Sequence, residues 1–211
     1  MERALRVGGI GRRKIAAAAV PGLAATLRGL LDLMGQTAQS AAPGAPLVLL
    51  SQLAEGSDRL IADAALERGW RLGVLLPFDR DHYAQTFDLE PPVRAQADFE
   101  RLLAEAEGPR GYGVSIMDGD PSPQKRDEAF LDCAVALIQS SDVLIAILEA
   151  DQPASQTGRS VADAGELGVP VVRLAPSSPA WIELRLDQET ATGDEALERL
   201  ADLVTARLAT R

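Results

Sequence analysis

Short apolar runs alternate along the chain with longer stretches in which apolar residues recur every three or four positions. Leu5 to Ile10, Leu47 to Ser51 and the segments 71–78, 111–119, 142–148 and 169–174 read as strands, most of them apolar enough to be buried on both faces. Between them, Leu23, Leu27, Leu30, Leu31 and Met34 form one helical stripe, and Leu60, Ile61, Ala64 and Ala65 a second. Phe99, Leu102, Leu103 and Ala106 make a third, and Ala129, Phe130, Cys133, Leu137 and Ile138 a fourth. Segment 79–89 predicts a short helix that Pro91-Pro92 interrupts. A short helix ending at Gly168, an edge strand over 181–186 and an amphipathic helix from Glu195 to Leu208 complete the pattern. Strands alternating with helices predict βαβ units, hence an α/β fold whose mainly parallel sheet carries helices on both faces. The most hydrophobic strand, 142–148, is expected at its centre. No repeat, low-complexity run or linker interrupts the series, so residues 1–211 read as a single domain.

Composition narrows the function. With 46% hydrophobic and 25% charged residues the chain is globular in character. The formal net charge of −10 argues against general nucleic-acid or anionic-membrane partners, which are held by excess Lys and Arg. A single cysteine, Cys133, excludes an internal disulfide framework and a Cys-based zinc site, and a single histidine, His82, excludes a multi-His metal site. No metal and no cofactor is expected. No signal segment and no apolar run of membrane-spanning length is read, so the expectation is a soluble, cytoplasmic protein. Self-association into a homo-oligomer is left open.

Right-handed crossovers place the C-terminal ends of all parallel strands along one edge, where ligands of open α/β sheets bind. Three unusual stretches fall there: GIGRRK after the first strand, QLAEGSD after the second and EADQPASQTGRS after the fifth. In the second, a strand runs through a glycine turn into a helix with Ser57 at the N-cap position, which suits an anion. The same turn also serves as an ordinary βα connection. GGIGRRK lacks both the dinucleotide and the Walker spacing, yet Gly11, Arg12 and Arg13 offer close backbone approach and forked donors for phosphate. Alternatively the cluster is a solvated surface. Glu55 and Asp58 flank the Gly56-Ser57 turn, where a carboxylate either accepts from a ribose diol or favours the positive helix end.

The run Ser51-Gln52-Leu53-Ala54-Glu55-Gly56-Ser57-Asp58-Arg59-Leu60, followed by Leu76-Pro77 and by Tyr83 to Phe87, resembles the SLOG superfamily. That Rossmann-like group includes the DprA DNA-processing proteins and the LOG phosphoribohydrolases. Ile10-Gly11-Arg12-Arg13, Asp142 to Ala146 and Ala164 to Val171 extend the likeness over nearly the whole chain. The resemblance implies a Rossmann-like three-layer α/β/α sandwich with a nucleotide-type pocket. It also implies a phosphate-cradling G-G-T, which here has become Ser155-Gln156-Thr157, keeping the threonine alone. The catalytic glutamate of LOG hydrolases, three residues later, is Ser160. Losing both glycines restricts backbone approach, and losing the carboxylate removes a proton-transfer group.

The leading expectation is therefore a non-catalytic, sensor-type domain for a nucleotide-derived small molecule. Its contacts are Gly11, Arg12, Arg13, Glu55, Gly56, Ser57, Asp58 and Thr157. An alternative is a LOG-like nucleotide N-glycoside hydrolase or transferase, with Glu149 or Asp163 replacing the missing acid. A second alternative is a degenerate domain that serves in assembly.

Overall fold

The computed structural model describes residues 3–88, 92–149, 151–187 and 189–209. Pro91, where a helix break is expected, and Ala150, within the polar stretch expected after the fifth strand, lie outside the described residues. The elements run β1 (Leu5–Gly11), α1 (Val20–Ala41), β2 (Leu47–Ser51), α2 (Ser57–Leu66) and β3 (Arg71–Leu76). Then come α3 (Arg80–Ala84), α4 (Pro92–Glu107), β4 (Gly113–Ile116), α5 (Arg126–Gln139) and β5 (Val143–Ile147). The last are α6 (Gln156–Glu166), β6 (Val171–Ala175), β7 (Ser178–Leu186), β8 (Glu189–Thr192) and α7 (Gly193–Ala209).

One eight-stranded sheet has the order β4-β3-β2-β1-β5-β6-β7-β8. Six strands, β1 to β6, are mutually parallel, and β7 and β8 are added antiparallel. The expected α/β fold with a mainly parallel sheet is observed. β5, every residue of which is buried, sits between β1 and β6 near the centre of the sheet. Helices α1, α2, α4 and α7 pack on one face, where Leu27, Met34, Ile61, Phe99 and Val204 meet Leu5, Leu49 and Ile145. Helices α5 and α6 cover the other, where Leu137, Ile138, Val161 and Ala164 meet Ile10, Leu144 and Ala146. The sequence pattern places 181–186 at an edge. Instead β7 pairs with β6 through an Arg173–Glu183 ion pair at matched register, and the polar strand β8 becomes the edge.

With its preceding turn, α1 is a 25-residue helical segment, Ala17–Ala41, which contains an 18-residue window of mean hydropathy 1.3. That meets the length and composition of a membrane-crossing helix, which the search for unbroken apolar runs misses. Its stripe Leu23, Leu27, Leu30, Leu31 and Met34 is nonetheless buried in the sheet's core.

Chain order reverses between β1, whose other neighbour is β2, and β5. Above that switch point the loops leaving β1, β2, β3 and β5 converge, and there the sheet opens into a cleft.

Candidate functional site

The cleft, about 330 Å3, is lined from several elements. Ile10, Gly11 and Arg13 come from the end of β1 and its loop, and Gln52, Ala54 and Asp58 from the β2–α2 turn. Tyr83 comes from α3, and residues 85–88 from the segment just after that helix. Arg126, Asp127, Phe130 and Ala134 come from α5, and Gln156, Thr157 and Ser160 from α6.

The β2–α2 turn is wired almost wholly to protein. The Ser51 hydroxyl accepts from the Leu53 amide at 3.0 Å, holding Leu53 at a positive φ of 57°. The Asp58 carboxylate accepts from the Ala54 amide at 3.3 Å. Arg59 donates to the carbonyls of Leu53 and Ala95, at 3.1 and 2.9 Å. The cap of α2 is Gly56, not Ser57, because only glycine adopts φ 85° with ψ −115° without strain. A Cβ there would also lie 1.9 Å from the Arg13 carbonyl oxygen.

Ser57 is the first helical residue. Its amide and its hydroxyl both donate to the Arg12 carbonyl, at 3.1 and 2.8 Å, so they are not left for an anion. Gly11 lines the cleft, but its missing Cβ accommodates the protein itself: a Cβ would lie 2.4 Å from that of Ser57. The two glycines thus let the β1 loop and the start of α2 touch.

Arg13 joins three chain segments. Its Nη2 donates to the Glu55 carboxylate at 2.6 Å and to the Thr86 carbonyl at 2.7 Å, and it pairs with Asp88 at 3.0 Å. Glu55, 2% exposed, also accepts from the Asp88 amide and does not line the cleft. Arg12 does not line it either, whereas Arg13, with 40% of its side chain exposed, does.

The α6 side is different. Ser155 caps the helix, its hydroxyl accepting from the Gly158 amide at 3.0 Å. The amides of Gln156 and Thr157, in the same first turn, take no protein acceptor among the described residues. Both residues line the cleft. Ser160 donates to the Gln156 carbonyl at 3.2 Å. Glu149 accepts from the amide and hydroxyl of Ser177, both at 2.7 Å, and neither it nor Asp163 lines the cleft.

Two buried polar groups complete the floor. Asp58, 4% exposed, has its carboxyl pushed up to about 7, mainly because burial penalises the charged form. Tyr83, 1% exposed, has a phenol raised well above its ordinary value, first by burial and then by the nearby Asp58. Its hydroxyl has no hydrogen-bond partner among the described residues. Cys133 is buried, its thiol pushed up to about 12 by desolvation, which makes it an inert core residue. Among the described residues no group of three His, Cys, Asp or Glu side chains is placed to hold a metal ion. Phe130 and Arg126 lie in no motif, and Tyr83 and Gln156, though inside stretches that carry the resemblance, are not among the contacts expected from it; packing brings all four to the cleft.

The sequence matches no family model and no curated protein. The fold does have relatives among solved structures. DNA processing protein A (DprA) of Streptococcus pneumoniae aligns with a TM-score of 0.51 at 16% identity, over 81% of this chain and 50% of that one. DprA of Helicobacter pylori, described for its single-stranded DNA binding mode, aligns with a TM-score of 0.52 at 21% identity, over 82% and 66%. The chain shares the fold of these two structures. It spans half the length of the first relative and just under two thirds of the second.

These neighbours overturn one expectation. The acidic balance argues against nucleic acid, yet a protein of this fold binds single-stranded DNA. The physical reason is that net charge averages over the whole surface, whereas binding depends on the local field. At this cleft Arg13 and Arg126 stand on the lining beside Asp58, Asp88 and Asp127.

Proposed function

We propose that the cleft binds a nucleotide or nucleotide-derived ligand, without chemistry, as the recognition half of a soluble, cytoplasmic sensor. The observation that carries this is the Ser155-capped start of α6 at the switch point of the sheet, where Gln156 and Thr157 line the cleft and their amides take no protein acceptor among the described residues. Backbone donors at a helix N-terminus, aided by the helix dipole, suit a phosphate. Thr157 adds a hydroxyl and Arg126 a cation on the lining, while the positive charge of Arg13 is shared with Glu55 and Asp88. Gly11, Gly56, Ser57 and Glu55 serve this site as its framework, and Arg12 through its backbone carbonyl.

The position at which LOG hydrolases carry glutamate holds Ser160, and Glu149 and Asp163 lie off the cleft. This supports binding rather than catalysis. One observation favours a second reading: Asp58, on the cleft floor with its carboxyl near 7, suits a general acid for N-glycoside cleavage.

Thermal denaturation with AMP, NAD, ADP-ribose, cyclic di-AMP and an oligodeoxythymidylate tests the first reading. A ligand at a hundred times its dissociation constant stabilises by about 2.7 kcal/mol. Stabilisation by none of the five overturns it, and stabilisation by the oligonucleotide alone replaces it with strand binding. Adenine release from AMP that Asp58→Asn abolishes establishes the second reading.

A further inference from the structure

The sheet has two outer strands, and they are finished differently. β8 closes one side with the polar run Glu189-Thr190-Ala191-Thr192, and Glu189 is held by Arg199 of α7 at 2.6 Å. β4 closes the other with Gly113-Val114-Ser115-Ile116, which carries no charge and no proline. Natural sheets blunt an open edge with charge or proline, because its unpaired N–H and C=O groups are a template for another strand. β4 also gathers apolar exposure. Among the described residues four large hydrophobic side chains are exposed, and two of them, Tyr112 at 43% and Ile116 at 49%, stand beside or within this short strand. An edge both undefended and apolar has the profile of a strand that pairs.

The ladder settles which groups the edge offers. β4 runs parallel to β3 with Ser115 beside Leu75, and the Met117 amide donates to the Leu76 carbonyl at 2.9 Å. Backbone bonding alternates sides along a strand, so Ser115, two residues before Met117, also bonds toward β3. The N–H and C=O groups of Val114 and Ile116 therefore face outward. Charge settles the direction of pairing. Arg110 precedes the strand and Asp118 follows it, both exposed and neither in an ion pair among the described residues. A second β4 laid antiparallel sets the basic start of each strand beside the acidic end of the other, twice over. Laid parallel, it sets like charge beside like.

We infer that β4 is a self-association edge: two copies of this chain pair their β4 strands antiparallel about Ser115 and join their sheets into one. In that register Val114 of each copy lies opposite Ile116 of the other, which makes about four main-chain hydrogen bonds and two apolar cross-strand pairs on one face. Ser115 meets its own copy on the other face. Arg110 falls diagonally across from Asp118 of the copy, within reach of a long side chain. The occupant is a second copy because one short strand supplies both halves of every pair. The inference is independent of what the cleft binds.

Sedimentation velocity of the intact chain across micromolar concentrations tests it. Wild type is expected to reach twice the 22.3 kDa mass of one chain. Ser115→Lys and Ser115→Asp each set like charges against one another at the axis, and each is expected to weaken the dimer about tenfold or more. An equal mixture of the two is expected to recover the dimer, since lysine then faces aspartate. Arg110→Glu is expected to weaken it several-fold, and by less at high salt. Circular dichroism of all three variants is expected to match wild type, because both positions are exposed. A wild type that stays monomeric overturns the inference. So does a dimer that these variants leave intact, because another surface then holds it, and so does a mixture no more dimeric than its parts. Should the Ser115 variants lose their fold, Arg110→Glu decides alone, and an unchanged dimer constant overturns the inference.

Discussion

The two loops that face each other across the cleft are built on opposite principles. The β2–α2 turn spends nearly every polar group internally: Ser51 on the Leu53 amide, Asp58 on the Ala54 amide, Glu55 on Arg13 and the Asp88 amide, Ser57 on the Arg12 carbonyl. The start of α6 caps itself with one serine and leaves the amides of Gln156 and Thr157 without a protein acceptor among the described residues. The first loop carries the dense sequence motif and the second carries a polar stretch with little signature. The difference teaches that a motif of many specific residue types records what a turn needs in order to fold. The surface a ligand touches is left to residues with little to distinguish them.

Substitutions in the wired loop should therefore act on stability, and those in the open loop on binding. Gly56→Ala is the strongest test, because it combines a positive φ with a Cβ 1.9 Å from the Arg13 carbonyl oxygen. It should cost more than about 3 kcal/mol in urea denaturation. A near-neutral effect would show that the turn is not wired as described.

Asp58 sharpens the comparison through pH. Its carboxyl stands at about 7 in the folded protein against an ordinary value of 3.8. Between those values the folded state holds a proton that the unfolded state has released. Its contribution thus falls as pH rises from about 4 to 7 and is level above that. Asp58→Asn should remove roughly 2–4 kcal/mol of this decline, read as the difference between the two proteins' pH–stability curves. Parallel curves would place the Asp58 carboxyl in ordinary solvent.

Arg13→Ala removes a cation from a carboxylate that is 3% exposed and frees the segment around Thr86. We expect a loss of about 2 kcal/mol. Reading Arg13 as a solvated edge residue predicts almost none, so equilibrium unfolding separates the two. Ser155→Ala should cost about 1 kcal/mol, the value of a helix cap, and should weaken phosphate binding by disordering the first turn of α6. The smallest expected effect is that of Glu149→Gln and Asp163→Asn on AMP titrations, which should match wild type within error.

The hydrophobic pattern carried the architecture because a strand buried on both faces and an amphipathic helix leave different periods in the chain. β8 escaped it: Glu189-Thr190-Ala191-Thr192 is a polar edge strand, recruited by pairing with β7 and not by an apolar run. In the cleft, the meeting of Gly11 with Gly56 and Ser57 is implicit in two glycine turns on one sheet edge. Their purpose was not, since a sequence cannot show that the missing Cβ atoms make room for another loop. Ser57 illustrates the same limit, as an N-cap serine and a serine one residue inside a helix look alike until the φ of Gly56 is known. Tyr83 lies in the stretch that carries the resemblance to SLOG proteins, yet its unmet hydroxyl is a property of packing alone.

Arg13 has one more consequence, which concerns motion. A single guanidinium holds Glu55, the Thr86 carbonyl and Asp88, so segments more than thirty residues apart in sequence share one fastening. Segments tied in this way open together or not at all. The amides around Arg13, Glu55 and Asp88 should accordingly exchange with solvent at a common rate, as one cooperative unit lying directly beside the place where a ligand would sit.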